Sequence, residues 1–77
     1  MSMTSSIDRT QLKLEIQEAM QKLSPDQRTI LSLRDIQGYS YDEISKMLSI
    51  PLGTVKSRIH SARIALKKEI FGGEHNE

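Results

Sequence analysis

The chain has no cysteine, and its two histidines, His60 and His75, lie far apart in its 77 residues. That removes a disulfide framework, a thiolate metal site and a cysteine nucleophile. No apolar run nears the ~20 residues needed to cross a bilayer, and no apolar signal segment follows the N-terminus. The expectation is a cytoplasmic protein with no membrane insertion. Strand-like alternation, a glycine-rich phosphate loop and a repeat are all missing. Acidic residues are present, but Asp8, Glu15, Glu18, Asp26, Asp35, Asp42 and Glu43 fall on helix starts or solvated faces. No nucleophile–base pair follows from them, so neither an enzyme, a bound cofactor nor a metal site is expected.

A strong overall charge is lacking too: the net is only +1. Its distribution is more informative. Residues 1–48 carry a net −1, residues 49–71 a net +4 and the tail a net −2. Positive potential is thus concentrated on one stretch, the footprint to look for first in a nucleic-acid binder.

What is present is helix punctuation. Residues 1–6 are Ser/Thr-rich without periodicity and read as a disordered tail. Asp8 as N-cap, Gln11 at N3 and Ile7 stapling onto Leu12 predict a first helix from Asp8, with Leu12, Ile16, Met20 and Leu23 as its buried stripe and Ala19 beside it. Ser24 as N-cap, Pro25 at N1 and Gln27 at N3 predict a second. Its apolar surface, Ile30, Leu31, Leu33 and Ile36, is wide enough to be touched on more than one side, and Gly38 ends it. Ser40 as N-cap with Glu43 at N3 opens a third, short helix of about nine residues, with Tyr39 stapling Ile44 and with Met47 and Leu48 also inward. Pro51 pushes Ile50 into an extended conformation and stops that helix. A fourth, longer helix runs from near Leu52 to Phe71 and ends at Gly72-Gly73, with 72–77 as a second disordered tail. The chain reads as an all-α, four-helix domain over residues 7–71.

The fourth helix has two unlike faces. Val55, Ile59, Ala62, Leu66 and Ile70 form one apolar stripe. At 100° per residue, Gly53, Ser57, His60 and Ser61 fall on the far side, with Lys56, Arg63 and Lys67 on one flank and Thr54 and Arg58 on the other. A duplex reader needs such a face: short polar groups for base edges and cations for phosphates. Ile64 points away from the stripe, either simply exposed or meeting a protein partner.

The short third helix, its turn and the basic helix match a helix-turn-helix over residues 41–60. Ser45 is the small residue where the helices touch. Ile44, Leu48, Ile50, Val55 and Ile59 are the apolar anchors. Many such motifs place glycine first in the turn for its left-handed conformation, where this chain has Ser49.

Residues 23–69, 47 of the 77, resemble region four of bacterial sigma factors, especially the extracytoplasmic-function group. The resemblance is carried by L-S-P-D-Q-R from Leu23, by G-Y-S-Y-D-E-I from Gly38 and above all by I-P-L-G-T-V-K-S-R-I-H-S-A-R from Ile50. It implies that the last helix enters the major groove of the minus-thirty-five promoter element. The earlier helices would grip the β-subunit flap of RNA polymerase core, and an anti-sigma factor would mask the domain. Carried over by position, Lys56, Ser57, His60 and Ser61 face base edges. Thr54, Arg58 and Arg63 would hold phosphates, with Lys67 on the same flank and Ser40 and Tyr41 beside the backbone. Many family members have arginine where this chain has Ser61, which predicts a promoter preference of its own. Each residue has a plainer use: Arg58 could pair with an acid of helix two or three, and Tyr41 could simply pack. Nothing in the chain resembles region two, so it reads as a piece of a longer protein.

Two other readings compete. The output domain of a response regulator also carries G-T-V-K, but the S-R-I-H-S-A-R continuation and the lack of an apolar dimer helix argue against it and for a monomer. A purely protein-binding helical module would use the apolar faces of helices one to three.

Overall fold

A computed structural model describes residues 2–72, and side chains for residues 9–72. Among the described residues the chain is helical without strands: α1 (Ser2–Gln21), α2 (Pro25–Leu31), a π-helical segment (Ser32–Ile36), α3 (Tyr41–Leu48) and α4 (Leu52–Phe71). The four-helix, all-α expectation holds. The helical backbone of α1 begins ahead of Asp8, the start expected from its capping pattern. Extending an existing helix adds one hydrogen bond per residue fixed, so a cap-like residue does not oblige a helix to begin there. The side chains of the Ile7–Asp8 cap and staple, and residues 73–77 of the expected C-terminal tail, lie outside the described residues.

Two capping boxes set the middle of the chain. The Ser24 hydroxyl accepts from the Gln27 N–H at 3.2 Å, and the Gln27 side chain accepts from the Ser24 N–H at 3.3 Å. Ser40 and Glu43 exchange the same pair at 3.0 and 2.8 Å. Each box satisfies two amide donors that a helix start leaves orphaned. Gly38 takes φ 82°, the left-handed conformation expected where the second helix ends.

The core is small. Met20, Leu23, Ile30, Leu31, Ile44, Val55, Ile59 and Ala62 form one cluster, with Tyr39, Tyr41, Leu48, Ile50 and Leu66 packed around it. α4 packs against α1, α2 and α3, so it is the element on which the others converge. The apolar stripe expected on α1 is buried only at its C-terminal end: Ala19, Met20 and Leu23 are inside, while Leu12 and Ile16 are exposed. The wide face expected on the second helix also narrows. Ile30 and Leu31 are sealed, Leu33 is half-buried and Ile36 is 70% exposed. The π-helical segment accounts for this. Its backbone closes i→i+5, as in the Gln37 N–H to Ser32 carbonyl bond at 2.9 Å. One extra residue per turn rotates whatever follows out of α-helical register. Met47, expected inward on α3, is likewise half in solvent.

Candidate nucleic-acid interface

The interface is built outward from a turn. α3 ends on Ser49, at φ 57° and ψ 46°, a left-handed conformation that the sequence reading associated with glycine. The chain then reverses over two bonds from one residue. The Ser45 hydroxyl donates to the Ile50 carbonyl at 2.5 Å, and the Ile50 N–H donates to the Ser45 carbonyl at 3.1 Å. A small side chain is needed there for packing, and its hydroxyl also ties down the turn. Pro51, at φ −62° and ψ 152°, leads into α4, whose first intrahelical bond runs from the Val55 N–H to the Pro51 carbonyl at 3.0 Å.

This turn fixes the roll of α4. Val55, Ile59 and Ala62 are sealed. Lys56, Ser57, Arg58, His60, Ser61, Arg63 and Lys67 are exposed, and Thr54 is half-buried. The expected outside edge is therefore the observed one, and the expected inside edge is sealed over Val55–Ala62 and half-buried at Leu66 and Ile70. The Ser57 hydroxyl donates to the Thr54 carbonyl at 3.2 Å, which leaves its oxygen lone pairs as acceptors. Ser57, Arg58 and Ser61 line a shallow groove with Asp26, Gln27 and Ile30 of α2. Among the described residues Arg58 makes no ion pair, so the plainer use considered for it is not realised. Ser40 is exposed at the start of α3, with its hydroxyl engaged in the capping box. Tyr41 is half-buried against the core, and its ring lies 5.0 Å from the Arg34 guanidinium carbon.

Arg63 stands apart from the other cations. Its Nε and Nη2 donate to the two Asp35 carboxylate oxygens at 3.1 and 2.6 Å, a bidentate pair across 28 residues of sequence. The hydrogen bond and charge of Asp35, with a contribution from Tyr41, hold the guanidinium above its ordinary pKa.

The family model described as "Sigma-70, region 4" matches residues 13–66. The chain belongs to the sigma-70 region 4 family. Among curated relatives it is 39% identical over 62 residues to the RNA polymerase sigma-H factor of Pseudomonas aeruginosa, covering 80% of this chain and 32% of that one. It is 43% identical over 60 residues to the ECF RNA polymerase sigma factor SigW of Bacillus subtilis, covering 78% and 32%. The match to the ECF RNA polymerase sigma factor SigE of Mycolicibacterium smegmatis is 43% over 58 residues, covering 75% and 23%. The chain thus spans a third or less of the curated relatives it matches. This region 4 domain also has a feature that its sequence did not announce. Arg34 donates to the Tyr39 carbonyl at 2.9 Å while stacking on Tyr41, and so joins the π-helical segment to the start of α3. The only local hint was a cation shortly ahead of the Gly38 turn.

Proposed function

We propose that this domain reads the minus-thirty-five element of promoter DNA as part of a sigma factor that directs RNA polymerase to promoters. The observation that carries the reading is the roll of α4: apolar edge sealed, Lys56, Ser57, His60 and Ser61 outward, directly after a helix-turn-helix turn. A major groove ~12 Å wide admits one helix. Residues 54–63 cover ~14 Å of helix at 1.5 Å each, enough to cross it. Lys56, Ser57, His60 and Ser61 face the bases. Thr54 and Arg58 lie on the backbone flank, with Ser40 and Tyr41 at the start of α3, and Lys67 reaches phosphates beyond the groove. With no arginine at Ser61, the base preference differs from that of relatives with arginine there. The domain does no chemistry of its own and works as a cytoplasmic monomer.

A specific surface supports a protein partner as well. Leu14, Ile16, Met20 and Ile36 line an apolar groove of about 490 Å³ between α1 and the α2 region, touched by none of the α4 residues above. In the assembled enzyme this is the side for the β-subunit flap of RNA polymerase core, and an anti-sigma factor would compete for it.

Selection of duplexes from a random pool by the 77-residue chain tests the DNA reading. One short motif is expected to enrich, and Ser57→Ala or His60→Ala is expected to change it. Lys67→Gln should weaken all sequences alike and reduce the salt slope of binding by about 0.9. Recovery of a random pool, with Lys67→Gln indistinguishable from the parent, would overturn it.

A further inference from the structure

We propose that Arg63 is a positioning residue: clamped by Asp35, it fixes the roll of α4 against the π-helical segment and does not serve as a phosphate cation. The inference rests on α4 being the groove-facing helix, and it reassigns one of the three residues expected to hold phosphates.

The geometry is that of a fork on a fork. Two parallel N–H···O bonds at 3.1 and 2.6 Å hold the guanidinium plane in one orientation. Arg63 directly follows Ala62, which is sealed in the core, so the clamp acts where α4 is already packed. Its partner sits on the π-helical segment, beside Arg34, which is tied to Tyr39 and stacked on Tyr41 at the start of α3. One cluster therefore joins the π-helical segment, α3 and α4, the elements whose relative placement decides where Lys56 and Ser57 point.

Charge leads to the same assignment. An Arg63–Asp35 pair is neutral, so it adds nothing net to the neutralisation of a phosphate backbone. A phosphate taking Arg63 would have to displace the carboxylate or sit beside it, anion against anion. Lys56, Arg58 and Lys67 have no acidic partner among the described residues and carry no such handicap. The π-helical turn gives the segment carrying Asp35 a bearing that α-helical winding would not.

Three measurements on the full chain test this. The first is binding to a short, labelled, mixed-sequence duplex across a potassium chloride series. Arg63→Gln with Asp35→Asn, which removes the neutral pair whole, is expected to leave the salt slope unchanged, whereas Lys67→Gln lowers it by about 0.9. A fall of the same size in the double variant overturns the proposal. The second is duplex selection with Arg63→Asp alone and with the charge swap Asp35→Arg/Arg63→Asp. The single change should blur the enriched motif and the swap should restore it. A swap no better than the single change counts against the clamp. The third needs no DNA. In a thermal unfolding cycle, Asp35→Asn and Arg63→Gln should each lower Tm by a few degrees, with the double variant no lower than the worse single. Additive losses sink the clamp. Loss of the Lys67→Gln effect instead sinks the groove-facing reading of α4 and leaves the unfolding cycle to decide the clamp.

Discussion

α1 and α4 are each 20 residues long, and each carries an apolar residue every third or fourth position over much of its length. Their fates differ. α4 is gripped along Val55, Ile59 and Ala62 by three other helices, whereas α1 is held only near its last turn, by Ala19, Met20 and then Leu23. Leu12 and Leu14, more than a turn earlier, are half in solvent. Periodicity thus marks a face that can be buried and says nothing about whether a partner covers it. A 20-residue helix is ~30 Å long. A core of eight clustered side chains cannot line two such helices end to end. The one that carries the reading face receives the packing.

Cutting the grip on α4 is expected to have the largest effect. Ile59 is 1% exposed and lies between Val55 and Ala62 in the same cluster. Ile59→Ala is expected to cost about 3 kcal/mol, from lost burial plus the cavity left behind. A domain of this size rarely has more than ~3–5 kcal/mol to lose. Far-UV circular dichroism should therefore show a largely unfolded chain at 37 °C. A cooperative melt close to the parent would mean that α4 is not the element on which the fold depends.

A smaller effect of opposite sign is expected at the turn that aims α4. Ser49 holds a left-handed conformation at φ 57°, which costs an ordinary L residue roughly 1–2 kcal/mol. Glycine would escape that strain but lose roughly 0.5–1 kcal/mol to the extra freedom of its unfolded chain. The net for Ser49→Gly is a gain of about 0.5 kcal/mol, read as a rise in Tm of about 2–4 °C. A fall in Tm would show that the Ser49 side chain stabilises the turn in a way its backbone angles do not reveal.

Much of this arrangement was legible in residues 24–71. Both capping boxes, the left-handed turn at Gly38 and the start of α4 behind Pro51 are local. Each is written by a hydroxyl, a missing Cβ or a fixed φ within a few residues. The roll of α4 was legible too, because a sealed Val55–Ile59–Ala62 edge dictates what faces out. Other features were not. Nothing in S-L-R-D-I distinguishes an i→i+5 turn from an α-turn, so the exposure of Ile36 could not be read. The Asp35–Arg63 pair joins residues 28 apart, and no local pattern encodes which cation an acid will meet. Leu12 and Ile16 carry the same signal as Met20, and only the extent of the neighbouring helices separates them.

The smallest expected effect therefore lies on α1. Leu12 is 52% exposed, so Leu12→Ala removes little buried surface, and alanine is at least as good a helix former as leucine. The change should stay within about 0.5 kcal/mol of the parent in urea unfolding, against about 3 kcal/mol for Ile59→Ala. The same side-chain class at the same helical period would then differ about sixfold in energetic weight, set by cover alone. A loss above about 1 kcal/mol, a size reserved for buried or networked groups, would mean that Leu12 is covered in solution. Its dependence on protein concentration would separate a second copy, which gives a loss that changes on dilution, from an intramolecular cover, which does not.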